Sequence, residues 1–298
     1  MALNAAADRL APIAEVKGRS LWADAWRRLL RNKAAVVSMV VLALIGLAAI
    51  FAPLVAPHDF DEVFWDHISS PPDTAAGFLF GTDGNGRDLF VRTLYGARVS
   101  LAVGVAATLV SLVIGVAYGA VAGFVGGKTD ELMMRLVDVL YSLPFMFFVI
   151  ILVVVFGRHI VLIFVALGAV EWLTMARIVR GQTLSIRRRE FVEAAQAAGV
   201  RTWKIIARHV VPNVMGPVIV YVTLTVPEVI IIESFLSFLG LGVQEPYTSW
   251  GVLISEGAQQ MESAPWMLIF PAAFLAVTLF CFNFIGDGLR DALDPKDR

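Results

Sequence analysis

The chain has 298 residues, of which 58% are hydrophobic and only 16% are charged, whereas a soluble globular domain averages about 25% charged residues. This composition excludes a water-soluble globule and predicts an integral membrane protein. The 24 basic and 25 acidic side chains nearly cancel to a formal net charge of −1, so the basic excess typical of nucleic-acid-binding proteins is absent from the sequence. A single cysteine, Cys281, excludes both an internal disulfide framework and a cysteine-rich metal site.

Residues 1–33 form a predicted cytoplasmic N-terminal segment. Apolar residues between Leu21 and Leu30 recur there at helical spacing among arginines, which is typical of a helix that lies in the membrane interface. A solvated basic leader is the alternative. Residues 34–56 follow without a charge and predict the first transmembrane helix, because crossing a bilayer takes about 20 apolar helical residues. This segment is too long for the apolar region of a cleaved signal peptide.

Five further apolar segments predict five more transmembrane helices, at residues 99–123, 139–157, 160–176, 214–241 and 266–286. Arg158 and His159 separate the third predicted span from the fourth and indicate a tight turn. Three glycines at four-residue spacing predict that a neighbouring helix approaches the second span closely; they are Gly115, Gly119 and Gly123. The residues therefore predict an all-α integral membrane fold with six transmembrane helices, preceded by an interfacial helix.

Lysine and arginine are distributed unequally among the segments that connect the spans. With the N-terminus inside, the cytoplasmic side holds 20 of the 24 basic residues, which is the bias expected of cytoplasmic loops. Both termini are therefore predicted to be cytoplasmic. The same arrangement predicts extracytoplasmic loops at residues 57–98 and 242–265 and one large cytoplasmic loop at residues 177–209.

No residue pattern in the sequence indicates catalysis, because the histidines are dispersed and no nucleophile–base or metal-ligand spacing occurs. Gly127-Lys128-Thr129 resembles the end of a phosphate-binding loop, but Ala122 occupies the position of the required glycine, and a predicted membrane helix precedes it instead of a strand. The segment from Asp83 to Asp88 predicts a tight polar turn instead of a calcium loop, since its fifth residue is the cation Arg87. We therefore predict no enzyme activity, no bound metal and no cofactor for this chain.

Three glutamates lie within or beside the predicted spans, namely Glu171, Glu228 and Glu233. Carboxylates inside a membrane are costly, which makes them candidates for a functional role. They predict either a polar translocation path or, if they exchange protons, a proton-coupled secondary carrier. The alternative is a structural role near the helix ends, in which Glu171 pairs with a cation such as Arg177.

The large cytoplasmic loop contains an alanine-rich segment. Strong helix formers from Arg187 to Ala198 predict a short helix that ends at Gly199. A solvated helix would carry charges all around, whereas Ala194, Ala195 and Ala197 leave a smooth surface. The segment therefore predicts a helix that docks into a groove on another protein.

The alanine-rich segment also carries a recognisable motif. Glu193-Ala194-Ala195, followed after three residues by Gly199 and after nine more by His209-Val210-Val211-Pro212, resembles the EAA motif of the membrane subunits of ATP-binding-cassette (ABC) importers. The general pattern has isoleucine and leucine where this chain has His209 and Val211, a departure that narrows the resemblance to the peptide and nickel branch. Further stretches resemble the C-type permease subunits of this branch; they are Phe80-Gly81-Thr82-Asp83, Tyr95-Gly96-Ala97-Arg98-Val99-Ser100, residues 234–242 and residues 286–295. Two more stretches, residues 144–150 and 175–183, resemble the oligopeptide permeases more closely than their dipeptide, nickel or glutathione relatives.

The resemblance implies a type I ABC importer permease fold, with a five-helix core at residues 99–286, one extra N-terminal transmembrane helix and a cytoplasmic tail at residues 287–298. It implies four kinds of partner in a bacterial cytoplasmic membrane: the lipid bilayer, a homologous B-type permease subunit, two ABC ATPase subunits that use ATP and Mg²⁺, and an extracytoplasmic peptide-binding protein. Glu193, Ala194, Ala195 and Gly199 are then the ATPase-coupling residues. Permeases for dipeptides, nickel or glutathione in the same branch are the alternatives.

Overall fold

The computed structural model describes residues 21–157 and 160–293, and the regular elements of this part of the chain are helices. The described part of the chain also contains two isolated antiparallel β-bridges, Asp73 with Phe78 and Thr82 with Asp88. A 3₁₀ turn spans Trp65–His67, and a π-helical turn, Ile206–Val210, joins two of the helices. In chain order the helices are α1 Leu21–Arg31, α2 Lys33–Ile50, α3 Ala52–Val55, α4 Leu89–Val125, α5 Gly127–Ser142, α6 Phe145–Phe156, α7 Ile160–Arg187, α8 Glu190–Ala197, α9 Thr202–Ile205, α10 Val211–Phe238, α11 Trp250–Gln259 and α12 Trp266–Leu293.

Four helical stretches in the described part of the chain are long and apolar enough to cross a bilayer. They are α2, α4, the continuous stretch Thr202–Phe238 that α9, the π turn and α10 form together, and α12. These stretches confirm helices at the first, second, fifth and sixth predicted spans. The fourth predicted span lies within α7, and the total of six crossings stays a prediction.

The third predicted span is wrong as a single helix. α5 ends at Ser142 and α6 begins at Phe145, so the apolar run 139–157 is divided between two helices. Pro144 explains the break, because proline has no backbone N–H and pushes the residue before it out of the helical region. Leu143 accordingly has an extended ψ of 136°.

Helix α4 begins at Leu89, earlier than the predicted start of the second span at residue 99. Asp88 caps it by accepting hydrogen bonds from the backbone N–H groups of Phe90 and Val91, at 2.8 and 3.3 Å. The guanidinium of Arg98 on this helix donates to the backbone oxygen of Ala49 at 3.0 and 3.1 Å, and to that of Ile50 at 3.0 Å, and so binds the last carbonyls of α2. The loop between the first two predicted spans is therefore shorter than the sequence predicts.

Helix α4 packs closely against α7, and the glycine spacing predicts such an approach by a neighbouring helix. A Cβ atom on Gly119 would collide with the carbonyl oxygen of Ala176, and one on Gly123 would come within 2.8 Å of the Arg180 carbonyl oxygen. Only glycine lets the two backbones approach this closely. Helix α7 then continues to Arg187, so the predicted cytoplasmic loop 177–209 is largely helical.

The predicted N-terminal helix is confirmed over Leu21–Arg31. Ala25 and Leu29 are buried in a cluster with Ala292 of α12, which fixes α1 against the end of the last helix. Trp22 and Trp26 lie exposed on α1. Such an apolar surface suits a helix in the membrane interface, which stays a prediction.

Candidate functional site

The alanine-rich helix α8 covers Glu190–Ala197 and begins three residues later than the sequence predicts. It ends at Gly199, as predicted, with the glycine in the left-handed region at φ +74°. The N–H of Gly199 donates to the Gln196 oxygen at 2.9 Å, and the N–H of Val200 donates to the Ala195 oxygen at 3.1 Å. These two bonds form a Schellman motif, which requires a left-handed residue at this position and strongly favours glycine.

One side of α8 is anchored and the other is open. Val192 is fully buried in a cluster with Phe124, Val179 and Val210, from α4, α7 and the π turn, and Ala195 packs beside it. The remaining residues of the predicted coupling set are exposed, namely Glu193, Ala194 and Gly199. The arrangement presents a smooth helical surface on a fixed base, which is the geometry that docking into a partner's groove requires.

The surface beside α8 is more apolar than the sequence pattern indicates. Phe191, Val200 and Trp203 are exposed large apolar side chains, and Val200 and Trp203 line a surface groove together with Arg208 and His209. Clustered exposed apolar residues of this kind mark interaction sites. Sequence reasoning missed Phe191 and Trp203, although a tryptophan within a basic loop was the available signal.

Glu171 and Glu228 line one cavity of about 350 Å³ between α5, α6, α7 and α10. Glu171 is only 8% exposed, whereas Glu228 is exposed. The alternative pairing of Glu171 with Arg177 does not form in the structure. The Arg177 guanidinium instead donates to Asp138 at 2.8 Å and lies over the Tyr141 ring, 4.4 Å from its centroid.

Glu233 lies apart from that cavity in a packed polar cluster. Its side chain is fully buried and accepts hydrogen bonds from the hydroxyls of Ser237, at 2.7 Å, and Ser100, at 3.3 Å. The Ser100 hydroxyl oxygen in turn accepts from the backbone N–H of Trp250 at 3.2 Å. Glu233 therefore joins α10 to α4 and α11. The structure thus brings two of the three predicted glutamates together and gives the third a structural environment.

A charged cluster at the N-terminal end of α4 was not predicted in full. The polar turn before α4 forms as expected: Asp83 accepts from the Arg87 backbone N–H at 2.9 Å and from the Arg87 guanidinium at 2.8 Å. Arg87 also donates to Glu245 at 2.9 Å, while Arg92 lies 3.2 Å from Asp83 and 3.7 Å from Glu256. Burial alone would lower the pKa of Arg87, but the charges and hydrogen bonds of Asp83 and Glu245 raise it above its ordinary value. The cluster holds two distant segments of the chain together.

Comparison with known proteins identifies the protein family of this chain. Residues 115–298 match the family described as binding-protein-dependent transport system inner membrane component. The chain belongs to this family. Residues 20–72 match a second family, the N-terminal TM domain of oligopeptide transport permease C. The chain is therefore a membrane permease and not a catalytic subunit.

Curated relatives of this permease are similar along nearly their whole length. The chain is 62% identical to the oligopeptide transport system permease protein OppC of Escherichia coli K12, over 95% of this chain and 94% of that protein. It is 58% identical to OppC of Haemophilus influenzae, over 98% of this chain and 94% of that protein. The dipeptide transport system permease protein DppC of Bacillus subtilis is 47% identical over 99% of this chain and 92% of that protein.

A solved structure supports the fold of this permease. A chain from the MetNI methionine ABC transporter, in a structure titled for its inward-facing conformations, matches with a TM-score of 0.56. The match covers 69% of this chain and 96% of that chain at 18% identity. The predicted type I ABC importer permease fold is thereby confirmed.

Proposed function

We propose that this chain is the C-type permease subunit of an ATP-driven oligopeptide importer and forms half of its translocation pathway. The observation that carries the proposal is the 62% identity to OppC of Escherichia coli over 95% of this chain. A homologous B-type permease supplies the other half. The family, whose description makes transport depend on a binding protein, favours this function over the proton-coupled carrier.

In this proposal α8 is the coupling helix that docks into a cleft of a cytoplasmic ABC ATPase. Support comes from the exposed surface of Glu193 and Ala194 and from the firm base that Val192 gives the helix. ATP and Mg²⁺ are bound by the ATPases and not by this chain. Closure of the ATPase pair moves the docked helix, and the pathway opens outward to receive a peptide.

The proposed orientation places both termini in the cytoplasm and the chain in the bacterial cytoplasmic membrane. Loops 57–98 and 242–265 then face outward and meet the peptide-binding protein. Two contacts that join these loops support a single docking surface: Arg87 with Glu245 at 2.9 Å, and Ser69 with Gln260 at 3.2 Å. Crosslinking from cysteines in both loops to the peptide-loaded binding protein tests this assignment, and the absence of crosslinks from either loop contradicts it.

Dipeptide import is the second candidate function. Both the DppC and the OppC proteins of Bacillus subtilis are 47% identical to this chain, so similarity to that organism's proteins favours neither substrate. Competition between a dipeptide and a pentapeptide for uptake by the assembled transporter separates the two candidates.

Co-purification from the native host, followed by reconstitution into proteoliposomes, tests the proposed function. We expect a second permease and two ATPases in the complex, and peptide uptake that requires ATP and the binding protein. Uptake by this chain alone, driven by a pH gradient, would instead establish the proton-coupled carrier.

A further inference from the structure

Two carboxylates line the cavity between α5, α6, α7 and α10, and no cation among the described residues pairs with them. Glu171 and Glu228 both line it, and Glu171 is more than nine-tenths buried. Neither glutamate forms a hydrogen bond or ion pair with a side chain in the described residues. Buried charges in proteins are normally paired, so an unpaired carboxylate that faces a cavity indicates an incoming partner.

The cations nearest in sequence on α7 are already engaged by other acids. Arg177 donates to Asp138 at 2.8 Å. Arg180 binds both carboxylate oxygens of Asp130, at 2.5 and 2.6 Å. Such bidentate and charge-assisted bonds are among the strongest that side chains form. Neither Arg177 nor Arg180 is therefore free to complement Glu171 and Glu228, and an incoming molecule can supply the positive charge.

The rest of the cavity wall is mainly apolar and includes Leu143, Phe148 and Ile232. Its volume of about 350 Å³ is near the lower limit of known ligand pockets, which hold about 300 to 1,000 Å³. The space therefore suits one end of an extended molecule, with a cationic group at the acids and an apolar portion against the wall.

We propose that Glu171 and Glu228 receive the positively charged α-amino group of the peptide during its passage through the membrane. This inference rests on the proposed function. The α-amino group is the one cation that every unmodified peptide carries, whatever its side chains. With a pKa of about 7.7 to 8.0, it is mostly protonated at neutral pH. The two carboxylates gain charge-assisted hydrogen bonds when it arrives.

The test uses the complete assembly in proteoliposomes, with the binding protein saturated by either of two peptides. The peptides are a pentapeptide without ionisable side chains and its N-acetylated counterpart. We expect Glu171→Gln and Glu228→Gln each to lower uptake of the free-amine peptide about tenfold, as loss of a charged hydrogen-bond partner does. Uptake of the acetylated peptide stays unchanged. The control Glu131→Gln, which replaces an exposed acid on α5, leaves both uptake rates unchanged.

The ratio of the two uptake rates assigns the effect to the permease, because the binding protein is identical in every assay. If the glutamate variants leave the ratio of the two uptake rates unchanged, the inference is overturned, while the proposed peptide import still stands. If the wild-type assembly transports neither peptide, the proposed function itself fails.

A second measurement uses the transporter with both glutamates intact, so it remains possible if the glutamate variants do not assemble. A peptide with a free amine and a photoactivatable first side chain is expected to crosslink to the cavity wall at Leu143 or Phe148. Moving the photoactivatable group to the last side chain shifts the crosslink away from these residues. Crosslinks that never reach the cavity from the first side chain would contradict the inference.

Discussion

Replacement of Gly199 tests whether α8 must end as it does for an ATPase to dock. A Cβ atom at this position meets nothing within 4 Å, so the whole effect comes from the backbone at φ +74°. Holding a residue other than glycine in the left-handed region costs about 1 to 2 kcal/mol. If docking requires this conformation, Gly199→Ala weakens ATPase binding about fivefold to thirtyfold.

Three variants make the test specific to the backbone. Asparagine tolerates the left-handed region, so Gly199→Asn is expected to bind more tightly than Gly199→Ala, while the β-branched Gly199→Val binds most weakly. Gly181→Ala is the matched control, because Gly181 lies on α7 with open space around it and without a positive φ. That substitution should leave binding unchanged, since alanine favours the helix.

The assay titrates the purified ATPase against the permease pair in nanodiscs and measures both affinity and peptide-stimulated ATP hydrolysis. Equal affinities for the Ala, Asn and Val variants would refute the backbone argument. A loss in Gly181→Ala as large as that in Gly199→Ala would refute its specificity.

Three further predictions concern the docking surface, the core and the outer charged cluster. Ala194→Trp adds bulk to the exposed surface of α8 and should abolish ATPase co-purification while the permease pair still co-purifies. Gly119→Val drives a side chain into the Ala176 carbonyl, and such overpacking costs about 1 to 3 kcal/mol, to be seen as a lower temperature of thermal inactivation. Arg87→Gln removes the cation from a buried pair, which typically costs about 3 to 5 kcal/mol, and should abolish stimulation of ATP hydrolysis by the binding protein. Glu245→Gln is the control for Arg87→Gln, because the Glu245 side chain is 63% exposed and the loss of such a pair costs about 0 to 1 kcal/mol; equal effects of the two changes would contradict the cluster's role.

Features that depend on local chemistry were predictable from the sequence. Gly199 follows a run of strong helix formers, so the end of α8 was expected at the residue where it occurs. The glycines of α4 were likewise expected to meet another helix. The glycine spacing does not specify which helix is the neighbour, so α7 could not be named from the sequence.

Features that depend on distant contacts or on single backbone groups escaped prediction. A count of apolar residues across the third predicted span does not show that the helix breaks at Pro144, which lacks a backbone N–H. The start of α4 was placed too late because Arg92 and Arg98 interrupt the uncharged run. Their charges are accommodated by Asp83 and by the end of α2, which lie far away along the chain or on another helix. The separation of Glu233 from the other two glutamates is also a tertiary property.

The unbroken helical path from Thr202 to Phe238 begins beside α8 and reaches the Glu233 cluster. Its 37 residues correspond to a rod about 55 Å long. Pro217 and Pro227 lie inside α10, and each removes one backbone hydrogen bond. A helix resists compression along its axis, and the two missing hydrogen bonds make these two positions the easiest to bend. A push on its end beside α8 is therefore expected to arrive at the opposite end as a change of tilt, which two spin labels on α10, one beyond each proline, can measure.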